Sequence, residues 1–342
     1  MLHNFRRLIS CRVVWFTAAL ISAFATVSAS ATEWTARVGA QGPDLLRTAL
    51  VYLPNEFWIH TGDSIHFSFE TEELHTVSFL KPGQVRPPAF SIFGLNGGVF
   101  VGCPGTTPDG SIVDNSACVS SGILVAGQSY MVNFPSAGNF KLVCLVHSRM
   151  TGAIHVLPLS ETLPHDQAFY DRQGDRQRSS LLSEAASLDG SGHAQTGEIS
   201  AHVVVAGLSS IHSTGGGSQT VSVMRFYDET TVVHVGDTVE WVNMSTPVFH
   251  TVTFGAEPLD DAPPSQSVTL DEDRVRHAFV NSPDDSVNSG FIGVPNQEAA
   301  GAPEALLDIT RFRVTFNAPG IFNYICGLHD NLGMKGTVIV RP

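Results

Sequence analysis

Ala137-Gly138-Asn139-Phe140-Lys141-Leu142-Val143-Cys144-Leu145-Val146-His147-Ser148-Arg149-Met150 is the stretch on which the reading of this 342-residue chain turns. A turn at Ala-Gly opens a short apolar run that ends on a cysteine. A histidine follows three residues later and a methionine three after that. The order returns at Pro319-Gly320-Ile321-Phe322-Asn323-Tyr324-Ile325-Cys326-Gly327-Leu328-His329, with Met334 beyond it.

Outward from these two stretches the chain repeats itself. Ile59-His60-Thr61-Gly62-Asp63-Ser64-Ile65 matches Val233-His234-Val235-Gly236-Asp237-Thr238-Val239. Leu74-His75-Thr76-Val77-Ser78-Phe79 matches Phe249-His250-Thr251-Val252-Thr253-Phe254, and Ser121-Gly122-Ile123 matches Ser289-Gly290-Phe291. Met150-Thr151-Gly152-Ala153-Ile154 matches Met334-Lys335-Gly336-Thr337-Val338. The offset is 174 at Gly-Asp, 175 at the His and 182 at the Cys. Order is kept while loops differ in length. One unit of about 130 residues is therefore duplicated, too long a period for a solenoid.

Each unit reads as β. Ser64-Ile65-His66-Phe67-Ser68-Phe69, Thr238-Val239-Glu240-Trp241-Val242 and Phe312-Arg313-Val314-Thr315-Phe316 alternate apolar with polar residues. Gly-Asp and Pro/Ala-Gly turns separate such runs. Regular strand-and-turn spacing without helical periodicity predicts an all-β chain of two sandwiches. We place the first unit at residues 32–158 and the second at 199–342. Residues 159–198 between them read as a linker containing a helix. Asp166–Leu188 has helix formers and a sparse apolar stripe of Phe169, Leu181, Leu182 and Ala185, weakened by Gly174. Asp189-Gly190-Ser191-Gly192 is expected to end the helix.

Composition narrows the classes of function. Hydrophobic residues make up 43% and charged residues 15%, so real cores can form. Residues 1–31 read as a signal peptide. Met1–Arg12 is basic, Val13–Val27 is apolar, and small-residue cleavage sites follow near Ala29 and Ala31. Arg6-Arg7 leaves the choice between general secretion and twin-arginine export open. The expected compartment is the periplasm or the exterior, with no membrane span after cleavage. Cleavage leaves 16 basic against 32 acidic residues, a net charge near −16. That balance argues against nucleic acid, which needs a basic face.

Five cysteines sort into three groups. Cys11 leaves with the leader. Cys103 and Cys118 flank a Gly/Pro/Ser/Asp-rich loop and are expected to pair as a disulfide in an oxidising compartment. Cys144 and Cys326 remain, each followed by His and Met. The candidate metal ligands are thus His75, Cys144, His147 and Met150 in the first unit, and His250, Cys326, His329 and Met334 in the second. A thiolate with two imidazoles, and a weak thioether on the axis, is the ligand set of a blue-copper site.

The pattern Gly-Asp, strand, His-Thr-Val, then Gly-x-Phe-x-x-x-Cys-x-x-His and Met-x-Gly resembles the cupredoxins, and within them the plastocyanin/amicyanin branch. Cys144-x2-His147-x2-Met150 is similar to the short amicyanin loop. Cys326-x2-His329-x4-Met334 is similar to the plastocyanin and pseudoazurin loop. The resemblance covers both units. It implies tandem Greek-key sandwiches, two type 1 copper ions per chain, and electron transfer with redox protein partners, whose docking faces would be basic. It also implies that His147 and His329 are electron ports with an edge at the surface, among Leu145, Val146, Leu328 and Leu332.

Departures and alternatives bear on that expectation. Ala256–Pro303 is long for a minimal cupredoxin and is expected to flank a copper end. Copper oxidases and nitrite reductases place a His beside the Cys or use His-x-His pairs. Val143 and Leu145 flank Cys144, Ile325 and Gly327 flank Cys326, and no His-x-His occurs. We therefore expect a carrier rather than an enzyme. Copper buffering or delivery is the alternative, although no Met-rich or His-rich tract supports it. His60 and His234 occupy equivalent positions and are the residues to consider for an accessory metal site.

Overall fold

The computed structural model describes residues 31–84, 106–196, 202–245, 248–259, 263–293 and 309–342. The expected signal peptide and Cys103 lie outside the described residues, so the expected Cys103–Cys118 bridge does too. Cys118 itself is buried.

The first half contributes β1 (Glu33–Gln41), β2 (Arg47–Leu53), β3 (Glu56–His60), β4 (Ser64–Phe69), β5 (Ser78–Phe79), β6 (Ser111–Ile112), β7 (Val119–Ser120), β8 (Ser129–Asn133), β9 (Gly138–Val143) and β10 (Thr151–Leu157). Helix α1 (Gln167–Thr196) follows. The second half contributes β11 (Val203–Ser213), β12 (Ser218–Tyr227), β13 (Thr230–His234), β14 (Thr238–Met244), β15 (Thr253–Phe254), β16 (Thr269–Leu270), β17 (Arg276–Val280), β18 (Val287–Asn288), β19 (Arg311–Phe316), β20 (Gly320–Ile325) and β21 (Lys335–Arg341).

Each half is a two-layer sandwich. One layer is five-stranded: β3-β10-β9-β5-β7 in the first half and β13-β21-β20-β15-β18 in the second. The other layers are joined. They form one eleven-stranded sheet in the order β16-β17-β19-β14-β11-β12-β2-β1-β4-β8-β6. The junction is β12 against β2, antiparallel, with Thr220 opposite Leu50 and Ser222 opposite Thr48. Both strands are buried along nearly all of their length, and Leu50, Tyr52, Val221 and Val223 are fully buried. An unpaired β2 or β12 would expose a row of backbone donors and acceptors. Pairing them satisfies both edges at once.

The Gly-Asp motif is a turn device. Gly62 and Gly236 adopt φ of 94° and 91°, a region that favours glycine. The aspartate that follows accepts backbone N–H groups. Asp63 Oδ2 takes the His60 N–H and Asp237 Oδ2 the His234 N–H, each at 2.8 Å. Asp63 also takes the Trp34 indole N–H at 2.8 Å, which ties the turn to β1.

The linker is a layer in its own right. Helix α1 lies on the outer face of the shared sheet, where Leu181 and Ala185 pack on Ala40, Ala49, Val51, Leu53 and Val221. Leu188 continues onto Val205, Leu208, Val223 and Tyr227. Tyr170, absent from the apolar stripe read in the sequence, is fully buried. Its hydroxyl accepts the Trp58 N–H at 2.9 Å. Gly174 is the point of close approach, where a Cβ would lie 3.4 Å from the Leu53 carbonyl. The helix does not stop at Asp189-Gly190-Ser191-Gly192, as the sequence suggests, but runs to Thr196. Tyr227 supplies the reason: its ring occupies the space that a Cβ on Gly192 would need, and its hydroxyl donates to Asp189 Oδ1 at 3.1 Å. Tertiary packing here overrides glycine's weak helix propensity.

The long insertion of the second half supplies edge strands. β17 runs parallel to β19 at the border of the shared sheet, and β16 pairs with β17. Arg276 on β17 is buried and donates to the Ser289 and Phe291 carbonyls at 2.7 and 3.0 Å.

Candidate metal centres

Four pieces of backbone build each site. The first is a short bridge that holds the upstream histidine. His75 exchanges backbone hydrogen bonds with Leu124 at 3.1 and 2.9 Å, and His250 with Ile292 at 3.0 and 2.8 Å. The repeated Ser-Gly motif anchors this bridge. Ser121 Oγ accepts the Val77 N–H at 2.9 Å, and Ser289 Oγ accepts the Val252 N–H at 2.8 Å.

The second piece is the strand that ends at the cysteine, β9 or β20. The third is the loop beyond it, closed by backbone bonds. The Cys144 N–H donates to the Met150 carbonyl at 3.0 Å and the Cys326 N–H to the Met334 carbonyl at 3.1 Å. Met150 and Met334 are fully buried. In the longer second loop a 3₁₀ turn, Asp330–Leu332, and Gly333 at φ 102° take up the extra residues.

The fourth piece was not anticipated from the sequence. Gly39 and Gly207 sit at equivalent β-bulges in β1 and β11, at φ of 75° and 74°. A Cβ on Gly39 would lie 2.8 Å from His75 Nε2, and one on Gly207 would collide with His250 Nε2. The bulge glycine therefore makes the floor on which the upstream imidazole rests. The only sequence signal was a Gly inside a strand pattern.

Three ligand atoms converge in each half. In the first, Cys144 Sγ lies 3.8 Å from His147 Nδ1 and 4.0 Å from His75 Nδ1. In the second, Cys326 Sγ lies 3.3 Å from His329 Nδ1 and 3.7 Å from His250 Nδ1. The two Nδ1 atoms of the second site are 3.2 Å apart. All six residues are buried. An ion bound at about 2.0–2.3 Å by two nitrogens and a sulfur in one plane needs ligand edges of roughly 3.5–3.8 Å. The observed edges bracket that value, so the donor set fits a trigonal His₂Cys metal site. Among the described residues no third cluster of metal-ligating groups occurs, and His60 and His234 join none.

Each cysteine sulfur also accepts a backbone N–H, from Thr76 in the first site and Thr251 in the second, both at 3.4 Å. The threonine hydroxyls fix the chain just past the cysteine. Thr76 Oγ1 accepts the Leu145 N–H and Thr251 Oγ1 the Gly327 N–H, both at 2.8 Å. Burial raises the Cys144 thiol, but hydrogen bonds and charge from His147 and His75 outweigh it and hold the group well below the usual thiol range. A thiolate is the form that ligates metal.

The loop histidines are not at the surface. His147 is 2% and His329 3% exposed, which corrects the expectation that they are outward-facing ports. The apolar patches expected around them are used internally. Val146 and Leu328 meet Leu74, Val248 and Phe249 around a cavity of about 20 Å³ between the halves, with both histidines in its wall. This is room for about one water. Each half covers the candidate metal site of the other.

Between the two rings stands Glu73, 4% exposed. Its Oε1 lies 3.3 Å from His147 Nε2 and its Oε2 3.4 Å from His329 Nε2. Burial raises the Glu73 carboxyl, but the charge on His329 and hydrogen bonds from both rings hold it well below the usual range. Burial lowers His147, yet hydrogen bonds to Cys144 and Glu73 push it up to about 9. For His329 the charges of Cys326 and Glu73 overcome burial and bring it to about 10. Burial, and then the charge on His329, hold His250 well below its usual value.

Residues 213–341 match the model of copper binding proteins of the plastocyanin/azurin family. The second half is therefore a cupredoxin domain. The first half repeats its sandwich and its His-Cys-His set, an arrangement that fits a tandem cupredoxin with two candidate copper sites. No curated protein matches the chain by sequence.

Solved structures to which the chain is similar include plastocyanin from Dryopteris crassirhizoma, at 17% identity over 41% of this chain and 99% of that one, with a TM-score of 0.21. Auracyanin A from Chloroflexus aurantiacus is 20% identical over 36% of this chain and 99% of its own, with a TM-score of 0.25. A blue copper oxidase from Nitrosomonas europaea is 10% identical over 91% of this chain and 86% of its own, with a TM-score of 0.23.

Proposed function

We propose that this chain is an exported electron-transfer protein whose two type 1 copper sites each cycle between Cu(I) and Cu(II). The observation that supports it is the twofold occurrence of one buried Cys-His-His set on rigid backbone. The soft thiolate favours Cu(I), the imidazoles accept Cu(II), and a close-packed sandwich permits little rearrangement between them. Met150 and Met334 are proposed as the axial thioethers, being buried and bonded through their carbonyls to the cysteine backbone. Export rests on the leader read in residues 1–31. Among the described residues no helix is long and apolar enough to cross a membrane.

The partners proposed are redox proteins with basic docking faces. The acidic balance of the chain would steer them with salt-dependent association rates. A carrier is favoured over an oxidase or reductase because neither cysteine has a histidine neighbour through which a catalytic copper could be wired.

Copper content and visible spectrum of the Cu(II)-loaded chain test this reading. Two coppers per chain, with an intense thiolate-to-copper band bleached by two electrons, are expected. A chain that binds copper without that band, or loses it rapidly to a chelator while folded, would overturn the carrier reading in favour of delivery.

A further inference from the structure

Glu73 is a feature of the metal centres that the duplication does not repeat. Glu73-Leu74-His75 stands where the second half has Val248-Phe249-His250. The side chain is buried between the halves and is within reach of both loop histidines, at 3.3 and 3.4 Å. Each of these rings turns Nδ1 to its own cysteine and Nε2 to the same carboxylate. A neutral histidine that ligates through Nδ1 carries its proton on Nε2. Two such donors need two acceptor oxygens, and a carboxylate supplies them. A second carboxylate at Val248 would set two like charges in one buried cavity, which explains why the position is apolar in only one half.

We infer that Glu73 joins the two centres into one redox pair, orienting both imidazoles and providing the route His147–Glu73–His329 by which an electron crosses between the halves. This rests on the two-site reading proposed above. The step balances without a further reactant: Cu(I) in one half is oxidised to Cu(II), Cu(II) in the other is reduced to Cu(I), and both Nε2 protons stay in place. The first electron enters from a one-electron donor protein. With both loop histidines covered, that donor meets another face of the molecule.

The experiment uses the full two-copper chain and three variants: Glu73→Val, Glu73→Gln, and Glu73→Val combined with Val248→Glu. In the Cu(I) form, nitrogen-proton NMR should show two slowly exchanging, hydrogen-bonded Nε2–H signals. Glu73→Val should lose both, and Glu73→Gln, which keeps one acceptor oxygen, should lose one. Copper affinity in Glu73→Val should fall at both sites together, by about 10–100-fold. Intramolecular electron exchange after half-reduction, recognised by a rate independent of protein concentration, should slow by tenfold or more. Moving the carboxylate across with Val248→Glu should restore the affinity and the exchange.

Loss of affinity at one site alone, or exchange unchanged in Glu73→Val, would overturn the inference. Should Glu73→Val not fold, Glu73→Gln with both NMR signals intact would overturn it equally. Wild-type protein without two blue coppers would instead overturn the functional reading beneath it.

Discussion

Thr48 and Ser222 stand opposite one another in the seam between β2 and β12, both fully buried, and Thr48 Oγ1 donates to the Ser222 carbonyl at 3.3 Å. They are equivalent positions of the duplication, separated by the same 174 residues as Gly62 and Gly236. Ala49 faces Val221 and Arg47 faces Val223, so a local twofold axis passes through the Thr48–Ser222 pair. Both sandwiches hang from one hydrogen-bonded sheet.

The halves should therefore unfold together. Calorimetry is expected to show one transition, with calorimetric and van't Hoff enthalpies in agreement. Two transitions, one for each half, would contradict the shared sheet. Val221→Asp, which would bury an unpaired carboxylate under α1, should cost about 3–5 kcal/mol in urea unfolding.

Gly39→Ala should damage the first site and spare the second. The new methyl would meet His75 Nε2 and Thr71, at a φ that L side chains rarely adopt. Backbone strain alone costs about 1–3 kcal/mol. Copper content should fall from two per chain towards one. Gly207→Ala should do the reverse, and equal loss from both sites would show that the bulge is not a local floor.

Thr76→Val and Thr251→Val should each loosen one cysteine loop. The substitution removes the hydroxyl that accepts the Leu145 or Gly327 N–H but keeps the backbone donor to the sulfur. An unsatisfied N–H costs about 1–3 kcal/mol where it is buried. The midpoint of urea unfolding should fall in both variants, with a larger effect for Thr76→Val because Leu145 is fully buried and Gly327 is half-buried.

Cys144→Ser and Cys326→Ser should each remove one charge-transfer band and leave the other. Copper should also stabilise the fold by mass action. Each site held at 1,000 times its Kd contributes about 4.1 kcal/mol, so the Tm of the loaded protein should exceed that of the metal-free protein. Each Cys→Ser variant should keep only part of that increment.

Legibility followed locality. Cys144, His147 and Met150 lie within seven residues, and their chemistry shows in the spacing. His75 was readable because His250 repeats it. The exposure of His147 and His329 was not, because their cover comes from the opposite half and local sequence says nothing of it. Glu73 left one trace, an acid aligned with Val248 in a run that also holds Glu70 and Glu72, and its meaning depended on a ring 256 residues away. The end of α1 was misplaced because Gly190 and Gly192 carry a stop signal by propensity, while Tyr227 needs the space that Gly192 leaves.

A seam with twofold symmetry is the contact that two identical subunits make with each other. The β2–β12 junction has that symmetry within a single polypeptide, so the chain is geometrically a homodimer sealed by α1. In a true homodimer every substitution appears on both sides of the axis, and a carboxylate on the axis would face its own copy. Covalent linkage removes that restriction. The two copies can diverge, and a single acidic side chain can serve a place where symmetry would otherwise force two.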